Sequence, residues 1–370
     1  MTSDHPVKTG VRALRVSAAD VARAVGVSPA TVSYVLNGRP GVSGEVRTRV
    51  LTVAAELGYP LEHRRARQVT EHARVLGVIH PDIGNPFYAS VSAGAIDAAR
   101  AQGHEVFLAH TQESSQTLLK VVEAMIARRV GGVLLTVLHP DDGEVVRLLR
   151  RSGTPFILMS RQIPNLRADY VGVDDVAAAE SILRHVVGHG YTDVAVVTGP
   201  RNSTASAARA DSFVATAQRL GLPLPPHRRF HAYLDEEGGH RVVRRMLSEG
   251  PLPRAIVCGS DAIASGVIGA VRASGARVPE DVAVTGFDGV FSSASMLGEI
   301  TTVCLPLRRM AALAVEQLIR RIDGIGGPAK DFIQPFRIRI GTTCGCARHP
   351  AAADELGAPS PITNAPRGET

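Results

Sequence analysis

Four charged residues follow predicted strands at positions where they could hold a polar ligand. They are Asp174, Arg209, Asp261 and Asp288, which lie at or after the runs YVGVD, VVTGP, IVCGS and VTGFD. Carboxylates and guanidinium groups can form bidentate hydrogen bonds with the hydroxyls or ring nitrogens of a small molecule. Because parallel α/β sheets bind ligands outside the carboxyl ends of their strands, we expect these side chains to line one cleft.

Structural alternatives stay open for the same residues. Arg209 and Asp288 could form an ion pair that only stabilises the fold. Asp261 could be the N-cap of a helix that begins at Ala262.

A second kind of chemistry, DNA recognition, is indicated near the amino end. Residues 16–37 read VSAADVARAVGVSPATVSYVLN, with apolar residues at helical spacing on either side of Gly26, which predicts helix, tight turn, helix. Such a motif places the start of its second helix in the major groove. The residues then expected to face DNA are, for bases, Pro29, Ala30 and Tyr34 and, for phosphates, Ser28, Thr31, Ser33 and Asn37. A helical module that binds protein is the alternative.

The sequence lacks the signatures of common catalytic and cofactor sites. It contains no GxGxxG after its first strand, no GxxxxGK[ST], no HExxH and no GxSxG, so we expect neither an enzyme nor a cofactor. Cys344, Cys346 and His349 form a C-x-C pair with one histidine, which lacks a fourth ligand, and no metal site is predicted. Cys258 and Cys304 lie in apolar strand-like runs and are predicted to be inert core residues.

The elements that must position these side chains fall into a helical part and an α/β part. A third amphipathic helix is predicted from Ser43 to Leu57, and from Val75 onward buried strands alternate with helices of 10–15 residues. This alternation predicts doubly wound parallel sheets in two similar lobes. The predicted domains are a flexible arm (1–15), an all-α helix-turn-helix domain (16–58), a hinge or linker (59–73), a two-lobed domain (74–346) and a disordered tail (347–370).

Charge and hydrophobicity restrict the class of protein. The 370 residues carry a formal net charge of +6, and residues 1–70 contain ten Lys or Arg against five Asp or Glu. The basic amino end favours nucleic-acid binding, because Lys and Arg neutralise phosphates. The 45% hydrophobic content excludes a disordered or fibrous protein. No run approaches the roughly 18 apolar residues of a membrane span, and no signal peptide is evident, so we expect a cytoplasmic protein without a membrane partner.

Several segments resemble one family. DVARAVGVSPATVSYVLNG resembles the amino-terminal domain of the LacI/GalR (lactose and galactose repressor) family of bacterial transcription regulators. The segments GNPFYASVSAGAIDAARAQGHEV, YVGVDDVAAAESILRHVVGHG, VPEDVAVTGFDG and TTVCLPLRRMAALAVEQL resemble further stretches of that family in the expected order. The resemblance spans about residues 16–343 and implies a periplasmic-binding-protein-like core.

The resemblance also implies functions for particular residues. Arg209 and Asp288 match the positions of ligand contacts, and Phe87 and Tyr88 match positions that stack on ligand, with a core plug as the alternative. His189 matches a structural Gly-His pair. Tyr34 departs from the Arg or His that is usual at its position, so base preference there should be unusual.

The linker is the second departure from the family pattern. It is one residue longer than usual, and Val69 stands where the family carries a Leu that wedges into the minor groove. We expect the linker arginines to lie near phosphates, with a solvated linker as the alternative; they are Arg64, Arg65 and Arg67.

The expected function is that of a homodimeric DNA-binding regulator, most simply a repressor. It would bind a near-palindromic operator under the control of a sugar or related polar metabolite held between the lobes. The alternative is a cytoplasmic small-molecule sensor that acts through protein partners.

Overall fold

The structure is a computed structural model that describes residues 16–36, 42–57, 59, 74–291 and 299–346. The chain forms two compact units, which divide between Glu71 and His72. No helix in these ranges combines the length and apolarity that crossing a membrane requires.

The described part of the first unit contains three helices, which are α1 (Ala18–Val25), α2 (Pro29–Leu36) and α3 (Gly44–Glu56). Ser17 and Asp20 form a reciprocal capping box at the start of α1, and Gly26 ends that helix in the left-handed conformation with φ +77°. The small core consists mainly of valines from all three helices, among them Val21, Val32 and Val50.

The second unit is built on two six-stranded sheets among the residues described. The strands of the first sheet are β1 (Val75–His80), β2 (Glu105–His110), β3 (Gly132–Leu135), β4 (Phe156–Met159), β5 (Asp169–Gly172) and β11 (Asp331–Ile333). The strands of the second sheet are β6 (Val194–Thr198), β7 (Arg229–His231), β8 (Ala255–Cys258), β9 (Ala283–Asp288), β10 (Thr301–Cys304) and β12 (Arg337–Arg339).

Both sheets are doubly wound. Their strand orders are β11-β5-β4-β3-β1-β2 and β12-β10-β9-β8-β6-β7. Neighbouring strands are parallel except that β12 pairs antiparallel with β10. In each sheet the order reverses next to the first strand, and this switch point is where an open α/β sheet leaves a crevice for ligand. The two lobes that the alternating pattern predicts are confirmed.

Helices cover both faces of each sheet. Those of the first lobe are α4 (Pro86–Ala101), α5 (Ser115–Ala127), α6 (Gly143–Ser152) and α11 (Leu307–Ile322). Those of the second lobe are α7 (Asp175–Gly188), α8 (Thr204–Arg219), α9 (Glu236–Glu249) and α10 (Asp261–Ala273). The chain crosses between the lobes after β5, after β10 and after β11, so three strands lead directly from one lobe to the other.

The helix predicted from Ala262 begins one residue earlier than expected. Ser260 is its N-cap, since the Ser260 hydroxyl accepts a hydrogen bond from the Ile263 amide at 3.2 Å, and Asp261 is already the first helical residue. The prediction that Asp261 caps this helix is therefore wrong. A serine hydroxyl is as good an N-cap acceptor as a carboxylate, which leaves the Asp261 side chain available for other contacts.

Candidate ligand cleft and nucleic-acid interface

Side chains from both lobes meet in one cleft at the carboxyl ends of the two sheets. The lining residues of the first lobe, which follow β1 or β4, are Asn85, Phe87, Tyr88, Ser160 and Arg161. Those of the second lobe, which end or follow β6, β7, β8 and β9, are Ser203, Ala205, Ser206, Arg209, Leu234, Ser260 and Asp288. Polar and charged groups thus converge from two rigid sheets, as in pockets that bind small polar molecules.

The lobes are closed over this cleft. The Asn85 side-chain nitrogen donates to the Leu234 carbonyl at 2.8 Å, and the Gln162 amide donates to the Thr204 hydroxyl at 3.1 Å. The cavity that remains between the lobes has a volume of about 30 Å³. This is far below the roughly 300 Å³ or more of pockets that hold small molecules, so the cleft must widen to admit a metabolite.

Arg209 is held in the cleft by three hydrogen bonds. Its Nε donates to Asp175 at 2.7 Å, and its Nη1 donates to the Gly259 carbonyl at 2.8 Å and to Asp288 at 3.4 Å. The guanidinium carbon lies 3.7 Å from the centre of the Phe287 ring. These contacts fix the plane of the guanidinium group, which a bidentate contact with a ligand requires.

Asp288 combines deep burial with a strained backbone. Its φ of +104° is unusual for a residue with a side chain and marks sites where the surrounding structure imposes the conformation. Burial raises the pKa of Asp288 to about 8, although the positive charge of Arg209 opposes the shift. This carboxyl group can accept hydrogen bonds from the hydroxyls of a ligand.

The two aromatic residues predicted near the ligand lie both at the cleft and in the core. Phe87 and Tyr88 line the cavity and also pack in the core of the first lobe, and each is only 5% exposed. Their rings meet edge to face with centres 4.9 Å apart. The side-chain oxygen of Asn85 accepts from the Phe87 amide at 2.9 Å and so begins α4 at this point of the cleft.

Arg161 is a cleft residue that the sequence analysis missed. It is 2% exposed and donates two hydrogen bonds to Glu113, at 2.8 and 2.5 Å. A signal was present, because Arg161 follows the apolar run FILM just as Asp288 ends its own strand.

Behind Arg161 lies a buried network of ionisable groups. His139 Nε2 is 2.9 Å from Glu113 Oε2, and the His139 amide donates to Asp142 at 2.7 Å. The hydrogen bond with Asp142 and then that with Glu113 raise the pKa of His139 to about 9. Burial alone would raise the pKa of Glu113, but hydrogen bonds from Arg161 and His139 outweigh it and lower this pKa to about 2. Arg161 therefore faces the cleft with its position fixed by a charged network.

Asp174 and Asp261 lie outside the cavity lining. Asp174 is exposed, and its carboxylate accepts from the Ala177 amide at 2.9 Å as the N-cap of α7; the next residue, Asp175, is the one that reaches Arg209. Asp261 is fully buried and accepts from the Thr302 hydroxyl at 2.6 Å and the Val290 amide at 2.8 Å. It ties β10 to the turn after β9, and so helps to position Asp288.

The first unit presents the start of α2 on its surface. Val32 and Val35 are buried against the other helices, whereas Ser28, Pro29 and Ala30 are exposed and Tyr34 is 43% exposed.

The hydroxyls predicted to face phosphates lie at the start and on the side of α2. The Ser28 hydroxyl accepts from the Thr31 amide at 3.0 Å, as expected of an N-cap, and lies 2.8 Å from the Thr31 hydroxyl. Thr31 and Ser33 are half-buried. The other residues predicted to contact DNA lie outside the described residues, namely Asn37, Arg64, Arg65, Arg67 and Val69.

Two family models match the chain. The model of bacterial regulatory proteins of the lacI family matches residues 18–60, and the model of periplasmic binding proteins and the sugar binding domain of the LacI family matches residues 73–336. The chain belongs to the LacI family. It is thus a DNA-binding transcriptional regulator controlled through an effector-binding domain, and not an enzyme, as the sequence motifs predict.

Two similar proteins align with most of this LacI-family chain. The HTH-type transcriptional regulator MalR of Streptomyces coelicolor is 33% identical over 323 residues, which are 85% of this chain and 92% of MalR. The ribose operon repressor of Escherichia coli is 28% identical over 82% of this chain and 92% of its own length.

Solved structures show the same fold. The complex of the transcriptional regulator CelR with cellobiose has a TM-score of 0.66 and 24% identity, and it matches 89% of this chain and all of its own. The lac repressor dimer bound to operator and the anti-inducer ONPF has a TM-score of 0.66 and 21% identity, over 89% of this chain and 99% of its own.

Proposed function

We propose that this LacI-family protein is a homodimeric repressor whose affinity for a near-palindromic operator is controlled by a sugar or related polar metabolite. The observation that carries the proposal is the convergence of groups from both lobes in one closed cleft. Tyr88 and Arg161 face it from the first lobe, and Arg209 and Asp288 face it from the second. A ligand that contacts both sets necessarily links its binding to the separation of the lobes.

The chemistry of the cleft fits a small saccharide. Arg161, Arg209 and Asp288 offer hydrogen bonds to vicinal hydroxyls, while Phe87 and Tyr88 offer ring surface to the apolar face of a sugar. The sugar binding domain named in the family model, and the cellobiose bound to CelR, support this class of effector. Asp174 and Asp261 support the cleft indirectly. Asp174 caps α7, whose Asp175 holds Arg209, and Asp261 holds the turn that follows Asp288.

DNA recognition is assigned to the exposed start of α2. Pro29, Ala30 and Tyr34 read base edges, and the hydroxyl and amide groups of Ser28, Thr31, Ser33 and Asn37 contact phosphates. The same proposal has Arg64, Arg65 and Arg67 contact phosphates and Val69 contact the minor groove. A dimer presents two such modules to the two halves of a near-palindrome, because its two-fold symmetry imposes the same symmetry on the DNA. Since operator DNA lies in the cytoplasm, the protein acts there.

Selection of bound fragments from sheared genomic DNA tests the DNA-binding part of the proposal. The full-length protein should enrich fragments that share a near-palindrome, and binding should weaken steeply with salt because phosphate contacts release counterions. Pro29→Ala with Tyr34→Ala should lose the enrichment, whereas Arg23→Ala, an exposed arginine that pairs with Asp20, should keep it. Failure to enrich any fragment at low salt, with and without saccharides, would instead favour a sensor that acts through protein partners.

A further inference from the structure

Four side chains with metal-binding atoms lie together at the far end of α7 from the effector cleft. His185 and His189 come from the end of this helix, and Cys344 and Cys346 come from the segment that follows β12. One ligand atom of each residue lies within 4.8 Å of all the others. None of the four belongs to the cleft or to the DNA-binding module.

Four of the six distances between these atoms are close to those between the ligands of a tetrahedral metal ion. His185 Nε2 lies 3.4 Å from Cys344 Sγ and 3.7 Å from Cys346 Sγ, while His189 Nε2 lies 3.1 Å from Cys346 Sγ. The two Nε2 atoms are 3.4 Å apart. Around a tetrahedral zinc ion, with Zn–N of about 2.0–2.1 Å and Zn–S of about 2.3 Å, ligand atoms lie roughly 3.3 to 3.8 Å apart.

The local structure holds the two pairs in place independently of each other. His185 and His189 are four residues apart at the end of a helix, so they project from the same face. The segment before Cys344 is fixed to the second sheet through Thr343, whose hydroxyl accepts from the Thr301 amide at 3.0 Å and donates to the Val284 carbonyl at 2.7 Å.

The turn between the two cysteines is also held. Gly345 has a φ of +87°, which a residue with a side chain rarely adopts, and a Cβ atom there would lie 2.6 Å from the Tyr191 hydroxyl. That hydroxyl donates to the Cys344 carbonyl at 3.3 Å. Glycine is therefore needed to bring both sulfur atoms to the same side, facing α7.

We propose that His185, His189, Cys344 and Cys346 bind one zinc ion. Two thiolates and two imidazoles in a tetrahedral arrangement favour zinc over the hard cations, which prefer oxygen ligands. All four coordination positions are filled by protein, as in structural zinc sites. On binding, each cysteine releases its thiol proton to solvent, so the two thiolates neutralise the charge of Zn²⁺.

The ion fastens the segment after β12 to the carboxyl end of α7. The amino end of the same helix carries Asp175, the carboxylate that holds Arg209, about 20 Å away along a helix of 14 residues. The zinc site thus stabilises the second lobe from the side opposite the effector. Local spacing does not predict this site, because the histidine nearest to the cysteines in sequence, His349, lies outside the described residues and the two histidines of the cluster stand some 160 positions earlier.

Metal titration of the full-length protein tests the proposal. After treatment with a chelator and a reductant, the protein is titrated first with Co²⁺ and then with Zn²⁺. We expect one Co²⁺ per chain, with the intense visible bands of tetrahedral cobalt and a thiolate-to-cobalt charge-transfer band, both removed by one equivalent of Zn²⁺. Zn²⁺ should also raise the melting temperature. A reduced protein that binds neither ion at micromolar concentration contradicts the proposal.

Single substitutions locate the site. His189 is exposed and Cys346 is half-buried, so His189→Ala and Cys346→Ser should fold yet lose stoichiometric cobalt binding and the zinc-dependent rise in melting temperature. His227→Ala, at another exposed histidine, and Cys304→Ser, at a half-buried cysteine outside the cluster, should each retain one ion. Retention of metal by His189→Ala and Cys346→Ser together contradicts the assignment.

Counting thiols separates zinc binding from a disulfide between the two cysteines. Protein purified without reductant should yield four reactive thiols per chain once it is unfolded with a chelator, and bound zinc should protect two of them from alkylation in the folded state. A count of two thiols, with no bound zinc, would show that Cys344 and Cys346 pair with each other instead.

Discussion

Asn85 joins the two lobes and begins a helix with the same side chain. Its amide nitrogen donates to the Leu234 carbonyl across the cleft at 2.8 Å, while its amide oxygen accepts from the Phe87 amide at 2.9 Å and caps α4. The contact between the lobes must break before a metabolite can enter the cleft. Closure of the lobes and the order of the ligand-binding segment are therefore coupled at one residue.

Substitution of Asn85 by aspartate separates these two functions. Asn85→Asp keeps an oxygen to cap α4 but places a second oxygen against the Leu234 carbonyl, which repels it. We expect the lobes to spend more time apart, seen as a larger radius of gyration in small-angle X-ray scattering, with little loss of stability. Asn85→Ala, which also removes the cap, should cost about 1 kcal/mol more.

Ser114→Ala is the matched control for this experiment. The Ser114 hydroxyl caps α5 by accepting from the Thr117 amide at 3.2 Å. Its loss should lower stability by a similar amount, about 1 kcal/mol, without altering the scattering. An unchanged radius of gyration for Asn85→Asp would show that the Leu234 contact does not hold the lobes together.

Tyr34, whose ring is exposed, is expected to give the protein an unusual base preference in its operator. Tyr34→Arg would introduce a guanidinium group that can contact O6 and N7 of guanine, a pairing worth about 1–3 kcal/mol of discrimination. In vitro selection with this variant should recover operators with a new guanine at one position of each half-site. Arg23→Ala, in the preceding helix, should select the wild-type sequence. Identical base preferences for Tyr34→Arg and the wild type would place residue 34 away from the bases.

His139 makes stability depend on pH in a defined interval. Its pKa of about 9 in the folded state exceeds the ordinary value of 6.5 because Asp142 and Glu113 accept its hydrogen bonds. The folded protein therefore holds a proton that the unfolded chain lacks between about pH 6.5 and 9, and the free energy of unfolding falls as pH rises through this interval. Denaturant titrations at about pH 6 and pH 9 should show a smaller difference for His139→Gln than for the wild type.

His227→Gln, at an exposed histidine, controls for the general effect of removing an imidazole. It should keep the wild-type pH dependence. An equal dependence in His139→Gln would mean that the contacts of His139 with Asp142 and Glu113 do not hold its proton.

Sequence patterns predicted the architecture well because they are local. The helix predicted from Ser43 to Leu57 is observed as Gly44–Glu56, and the turn predicted at Gly26 is set by residues within four positions of the helix end. Strands that are buried on both faces, such as β3 and β8, are short apolar runs, and their alternation with helical segments identifies them directly.

The cleft was harder to predict because it depends on single-residue register and on distant pairings. The expectation that residues after parallel strands line the cleft identifies Arg209 and Asp288. After β5 the same expectation selects Asp174, which caps a helix, whereas the residue that contacts Arg209 is Asp175. One residue of helix rotates a side chain by about 100°, which no count of apolar residues resolves. Arg161 and its partner Glu113 stand 48 positions apart, so no local pattern predicts their ion pair.

We expect a saccharide bound between the lobes to change the affinity for operator DNA through Arg209. The most direct test measures operator affinity by fluorescence anisotropy for the wild type, Arg209→Lys and Arg209→Ala, with and without a panel of neutral mono- and disaccharides that includes ribose and cellobiose. Arg219→Ala, at a half-exposed arginine on the same helix, is the control. Arg209→Lys keeps a positive charge beside Asp175, in case the alanine variant is too unstable to fold.

At least one saccharide should change the operator affinity of the wild type and of Arg219→Ala by about 5- to 150-fold, the usual range of coupling between two sites. The Arg209 variants should bind operator with wild-type affinity in the absence of saccharide and show no such change. If folded Arg209 variants respond to the same saccharide at the same concentration as the wild type, effector control does not pass through this cleft.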